Sequence, residues 1–201
     1  YKVGEILLIS SLYDAYAIER EGRFSEHMLG QYGHLNLTSF PRITGATSLE
    51  QALHLLKFKH FDLIIFMVGA DKNVPLTVSE KIKSTYPFIP IFLLLNNSSD
   101  LAYYGKMLHN IPFIERLFTW NGDANIFFAM IKMLEDKMNV ENDTQLGQVR
   151  VILLVEDSPE YYSRYLSFLY KVLMEQTKRI IDDVSTDELY KVLRMRARPK
   201  I

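Results

Sequence analysis

A chain of 201 residues with 48% hydrophobic residues, 23% charged residues and a net charge of -1 has ample apolar material for a core and no electrostatic bias toward nucleic acid or anionic membrane. It contains no Cys, which excludes disulfides, thiolate nucleophiles and zinc sites built on Cys. No apolar run approaches the roughly 20 residues that span a bilayer, and residues 1–9 lack the features of a secretory leader. The expected setting is the cytoplasm.

Glu5–Ile9 is a short apolar, β-branched run that suits a strand buried on both faces. Residues 13–32 carry Phe24, Met28, Leu29 and Tyr32 at helical spacing, with Gly22 as an interruption. A weaker strand is expected over 42–47. Ser48 then has the character of an N-cap, and Leu49, Ala52, Leu53 and Leu56 lay an apolar stripe along the helix it starts. The next unit repeats the pattern: strand over 61–68, loop over 69–75, and a helix over 78–86 stopped by Pro87. Residues 90–95 form another apolar strand, Asn96-Asn97-Ser98-Ser99 a turn, 101–109 a helix and 114–120 a fifth strand. After Asn121-Gly122-Asp123, a helix carries Phe127, Met130, Ile131, Leu134 and Met138 on one side.

Strands alternating with helices, several of them continuously apolar, predict a parallel sheet covered on both faces by right-handed crossovers. The fold class expected for 1–138 is α/β, a flavodoxin-like doubly wound five-stranded parallel sheet. Residues 139–148 are polar, contain Gly147 and read as a linker. A second α/β unit opens over 149–201, with a strand at 149–155 and a helical stretch over 159–196 interrupted near 182–186. Tyr162, Tyr165, Leu166, Leu169, Val172 and Leu173 form its apolar stripe.

The segment Val151-Ile152-Leu153-Leu154-Val155-Glu156-Asp157-Ser158 resembles the first strand of a response-regulator receiver. In that family two acidic residues at the carboxyl end of the strand help hold Mg²⁺, a hard cation that takes oxygen ligands; the resemblance therefore implies Mg²⁺ at Glu156 and Asp157 in an intact second unit. By itself the motif is equally a solvated acidic loop with a helix cap. The first unit resembles a receiver in the order and spacing of its elements. Phe61-Asp62-Leu63-Ile64-Ile65-Phe66-Met67 is similar to the third strand, where the family places its phosphoaccepting aspartate and this chain has Met67. Ser10 and Ser11 stand where the acidic pair is expected, Leu95 and Asn96 in the neighbourhood of the phosphate-sensing hydroxyl, and Trp120 where the family carries Lys. Each departure removes a capacity: a thioether cannot attack a phosphoryl donor, hydroxyls bring no charge to Mg²⁺, and an indole has no ammonium for a phosphate oxygen. The resemblance thus implies a receiver fold without aspartyl phosphorylation or cofactor in the first domain.

The wording of Val3-Gly4-Glu5-Ile6-Leu7-Leu8-Ile9-Ser10-Ser11-Leu12-Tyr13-Asp14, Trp120-Asn121-Gly122-Asp123 and Arg194-Met195-Arg196-Ala197-Arg198-Pro199-Lys200-Ile201 is also similar to the receiver-like region preceding phosphoenolpyruvate synthase-like or pyruvate phosphate dikinase-like domains in bacterial proteins. That likeness implies a second receiver continuing past Ile201 and places any dikinase chemistry outside this chain.

Other constellations carry less. His27, His34, His54, His60 and His109 show no metal-ligand spacing, and Gly30 and Gly33 form no phosphate loop. Ser10 and Ser11 lack the glycines of a nucleophile elbow, and Arg194, Arg196, Arg198 and Lys200 read as cations at a helix C-terminus. Three functions stay open. The first is a non-enzymatic pseudo-receiver that contacts a protein, another domain or a second copy of itself, using the helix around 126–138. The second is a phosphorelay through the second unit. The third is a flavodoxin-like ligand-binding domain or enzyme with a pocket at Ser10, Ser11, Met67, Asn96 and Trp120.

Overall fold

The computed structural model of the protein describes residues 1–11, 41–105, 107, 113–120, 122–184 and 198–201. The helical pattern expected over 13–32 lies outside them. Five strands, β1 (Glu5–Ile9), β2 (Arg42–Ala46), β3 (Leu63–Met67), β4 (Ile91–Leu95) and β5 (Arg116–Thr119), form one sheet in the order β2-β1-β3-β4-β5, every pair parallel. Between and after them run α1 (Leu49–Phe58), α2 (Val74–Thr85), α3 (Ser98–Gly105), α4 (Asn125–Gly147) and α5 (Pro159–Val184). This is the flavodoxin-like doubly wound sheet that the alternation predicts, its order reversing between β1 and β3.

The period-2 geometry of a strand sorts the apolar residues of the sheet into two cores. Ile6, Leu8, Ile65, Met67, Phe92, Leu94 and Phe118 face α4 and α5, whereas Leu7, Ile9, Ile64, Phe66, Leu93 and Leu95 face α1, α2 and α3. Local chemistry fixes the crossovers. The Ser48 hydroxyl accepts the Gln51 amide at 3.1 Å, and the Gln51 side chain accepts the Thr47 amide at 2.8 Å, so α1 starts where the sequence places its cap. Helix α2 begins earlier than expected because Pro75 occupies its first turn, where a missing N–H costs nothing. The Asp62 carboxylate accepts the Gly4 and Glu5 amides at 2.8 and 2.9 Å and ties the start of β1 to β3.

Two expectations fail after β5. Residues 139–147, read as a linker, continue α4 without a break, and the chain turns only at Gln148, whose φ of 49° is left-handed. The polar composition of that stretch reflects its emergence beyond the sheet. Residues 149–155 do not form a regular strand: Val151 makes a single parallel bridge with Lys200. Helix α5 packs on α4 and on β5 through Tyr162, Leu166, Tyr170 and Met174; of the expected stripe, Tyr165 and Val172 are exposed. β5 is an edge strand, and α5 covers its backbone there. The Thr119 amide donates to Ser163 Oγ at 3.0 Å, and the Arg116 guanidinium lies 4.6 Å from the Tyr162 ring centre.

The bridge exposes an internal repeat. Val3-Gly4-Glu5-Ile6-Leu7-Leu8-Ile9 aligns with Val149-Arg150-Val151-Ile152-Leu153-Leu154-Val155, and Pro41-Arg42-Ile43 with Pro199-Lys200-Ile201. Backbone pairing follows the same register: the Arg42 amide donates to the Gly4 carbonyl at 2.8 Å, and the Lys200 amide to the Arg150 carbonyl at 3.0 Å. Residues 149–155 and 199–201 therefore reproduce, in sequence and in this pairing, the opening of the first unit.

Candidate functional site

All five strands end at one edge of the sheet, where ligands of doubly wound folds gather. The register places Ile9 beside Ala46 and Phe66, Met67 beside Leu94, and Leu95 beside Thr119. Ser10, Met67, Leu95, Asn96 and Trp120 are thus brought to one end of the molecule, yet their side chains do not form one set. Met67, 3% exposed, belongs to the core under α4, and Trp120 packs partly against that same core, 5.5 Å from the Phe127 ring centre. Leu95 is fully buried in the opposite core. Ser10 is buried with its amide bonded to the Ala46 carbonyl at 3.1 Å, while Ser11 is exposed.

Hydrogen bonds link the described loops that follow β3 and β4. The Asn96 amide nitrogen Nδ2 donates to the Val68 carbonyl at 2.9 Å, and the Asn96 backbone amide donates to Asp100 at 3.2 Å. Asp100, 1% exposed, stands 3.4 Å from the Lys72 ammonium, which also donates to Ser99 Oγ at 3.0 Å. The Tyr104 hydroxyl donates to the Lys72 carbonyl, and burial pushes its pKa well above the usual phenol value. Lys72 and Asp100 neutralise each other, and among the described residues no group of three or more His, Asp or Glu is gathered to hold a metal ion. Met67 brings a thioether and Trp120 an indole to this end, and among the described residues neither position carries a carboxylate or an ammonium.

Glu156 and Asp157 lie beyond the second unit's Val151–Lys200 bridge, at the places the repeat gives to Ser10 and Ser11. Glu156 Oε1 accepts the Ser158 amide at 3.0 Å, and Asp157 is exposed. Among the described residues a recess lies elsewhere. It is an open recess of about 520 Å³ between α2 and the segment before β5, lined by Glu80, Lys83, Ser84, Pro87, Phe113, Ile114 and Glu115.

Sequence reasoning missed a buried polar cluster on α4. Every residue of α4 from Ile126 to Asp136 is buried, including Lys132, Glu135 and Asp136. Asp136 accepts a two-pronged bond from Arg198, Nη1 to Oδ2 at 2.9 Å and Nη2 to Oδ1 at 2.7 Å, and the Tyr170 hydroxyl at 2.9 Å. Lys200 stands 3.0 Å from Asp143 and 3.7 Å from Asp136. Lys132 donates to Glu135 at 2.6 Å, and Glu135 accepts the Val3 amide at 3.1 Å; burial lowers the Lys132 pKa and raises that of Tyr170. Arg198 and Lys200 are therefore buried ion-pair partners of α4, and Arg194 and Arg196, read with them as cations at a helix end, lie outside the described residues. Of the helix around 126–138, expected as an interaction surface, residues 126–136 are buried against the sheet, α5 and residues 198–201, and Met138 is exposed. The signal was present: Lys132, Glu135 and Asp136 stand inside an otherwise apolar stretch of α4.

Among the described residues no helix is long and apolar enough to cross a membrane. No family model and no curated protein matches the chain. Solved structures do resemble it. The signal receiver domain of an HD domain-containing protein from Pseudomonas fluorescens is 21% identical over 69% of this chain and 99% of its own, with a TM-score of 0.49. The response regulator TrrA of Thermotoga maritima is 18% identical over 65% of this chain and 98% of its own, TM-score 0.47. The chemotaxis response regulator CheY4 of Vibrio cholerae is 15% identical over 66% and 99%, TM-score 0.47.

Proposed function

We propose that the chain is a receiver-like signalling module whose first unit works through protein or domain contact, without aspartyl phosphorylation and without a bound cofactor. The observation that carries this reading is Met67. It ends β3, where the resemblance to receivers expects the phosphoacceptor, and lies 3% exposed in the α4 core, a place where an unpaired carboxylate is costly. Contact within the chain is supported by α4, whose outward side is taken up by α5 and by Arg198 and Lys200. The test is incubation with acetyl phosphate or beryllofluoride and Mg²⁺. Trp120 is the single tryptophan and sits at the candidate site, so its emission reports on that site alone. Unchanged emission and an unchanged mass are expected; a hydroxylamine-sensitive phosphate on residues 1–138 would overturn the reading.

A second reading, a phosphorelay that uses the second unit, is favoured by Glu156 and Asp157 standing at the repeat's equivalents of Ser10 and Ser11. It requires Mg²⁺ binding by a polypeptide longer than this chain, abolished by Glu156→Gln with Asp157→Asn. Binding that survives both substitutions removes it.

A further inference from the structure

Leu7 and Ile9 of β1 are 0% and 4% exposed; their counterparts in the repeat, Leu153 and Val155, are 84% and 81% exposed, and Val151 is 54% exposed. The sequence is the same kind of apolar run in both places, so the difference lies in what covers it. In the first unit β1 has strands on both edges: β2 on one, and on the other β3, whose flanking Asp62 amide donates to the Glu5 carbonyl at 2.8 Å. Helices α1 and α2 then cover Leu7 and Ile9. In the second unit, one edge is engaged by Lys200, and among the described residues the bridge to it is the only β pairing made by 149–155. Ile152 and Leu154 are half-buried, with Leu154 and Ile201 packed against the α4 core, so the bare residues are those pointing the opposite way.

The buried ion pairs hold this arrangement in place. Arg198 and Lys200 are 5% and 4% exposed and anchor the end of the repeat to Asp136 and Asp143 of α4. The Val149 amide is bonded to the Asp143 carbonyl at 3.3 Å. The apolar face is thus presented by a segment fixed at both strands.

We propose that the face formed by Val151, Leu153 and Val155 is a docking surface for a segment of the same polypeptide that follows Ile201. That segment enters as an apolar parallel strand on the edge of 150–155 opposite Lys200, and an amphipathic helix after it covers the face. The repeat decides the occupant. In the first unit the covering elements, α1, β3 and α2, all come later in the chain than Ile43, the counterpart of Ile201. An edge without further β pairing among the described residues, beside three exposed branched side chains, is a template on which sheet extension buries apolar surface and pairs backbone groups together. The inference does not depend on whether the first unit takes phosphate.

Hydrogen exchange on the 201-residue chain, and on the polypeptide carried through its encoded continuation, reads the edge directly. The amides of 151, 153 and 155 should exchange close to the unprotected rate in the shorter chain and at least about a hundredfold more slowly in the longer one. Leu153→Asp should abolish that slowing while leaving the thermal transition of the 201-residue chain unchanged, which separates loss of docking from loss of folding. Three outcomes overturn the proposal: a continuation without an apolar strand, amides that stay unprotected in the longer polypeptide, or protection in the shorter chain that rises with protein concentration, which would make a second copy the occupant.

Discussion

Asp136→Asn is the sharpest perturbation of how the two parts of the chain are joined. The carboxylate is 2% exposed and receives both prongs of Arg198, at 2.9 and 2.7 Å, and the Tyr170 hydroxyl at 2.9 Å. An amide of the same shape keeps one acceptor and turns an NH₂ toward guanidinium N–H groups, so donor faces donor and Arg198 is left charged, buried and half-bonded. Breaking one side of a buried pair costs about 3–5 kcal/mol, a large part of the ~5–15 kcal/mol by which a domain is stable. Lys200 softens the loss because Asp143 still holds it at 3.0 Å. Urea unfolding followed by Trp120 emission should therefore show a drop of about 3 kcal/mol, near the lower end of that range. Exchange at 198–201 should accelerate most. Replacing both partners, Asp136→Leu with Arg198→Met, should recover most of the loss, since two matched apolar groups leave no stranded charge. A change below about 0.5 kcal/mol in the single variant, a size typical of exposed positions, would refute the view that this pair fastens the second unit to α4.

Other consequences follow from burial. Leu7→Ala should cost about 2–5 kcal/mol, whereas Leu153→Ala, at the equivalent place in the repeat, should change urea stability of the 201-residue chain by less than about 0.5 kcal/mol. Ser48→Ala should remove about 1 kcal/mol by stripping the cap from α1, checked by the same unfolding curve. Met67→Asp should lower stability by more than about 2 kcal/mol at neutral pH, and added Mg²⁺ should not restore it because Ser10 and Ser11 bring no charge; rescue by Mg²⁺ would contradict the site as described. At alkaline pH, burial raises the pKa of Tyr104, Tyr162 and Tyr170, so the unfolded chain loses phenolic protons from about pH 10 upward while the folded chain keeps them. Stability should fall as pH rises above that point. Lys132, whose pKa burial lowers, acts in the opposite sense below its unfolded value, so Tyr170→Phe should shallow the fall and Lys132→Met should not.

The first unit was legible because its strands are continuously apolar and its crossovers carry local signals. Ser48 capped α1 as its sequence position implies, and the stripe of Ala52 and Leu56 met the core. Boundaries shifted where local chemistry competed, as at Pro75, which admits the first turn of α2 before the apolar pattern begins. The candidate site was legible by position and not by partnership. Sequence order brings Met67 and Leu95 to one end of the sheet, but strand parity sends them into opposite cores, and no spacing rule between separate strands reveals that. Residues 139–148 misled because a helix that leaves the sheet loses its apolar stripe without losing its helical backbone. The partners of α4 were not legible because Arg198 and Lys200 meet Asp136 and Asp143 from far later in the chain, a separation that no local spacing rule bridges.

That meeting explains why α4 tolerates the buried carboxylates of Asp136 and Asp143, while Lys132 and Glu135 pair with each other. Burying a carboxylate requires its partner in a fixed place, so the fork between Asp136 and Arg198 accepts one register of residues 198–201 and penalises others. A purely apolar contact would leave Ile201 and Leu154 free to slide along α4, since neither side chain has a directional bond. The Ile201 amide, 3.3 Å from Asp136, adds a backbone contact to the same carboxylate. One helix thus serves as the last crossover of the first sheet and as the seat of the second unit. Its charges set the position of the paired strands, and that position turns Val151, Leu153 and Val155 outward.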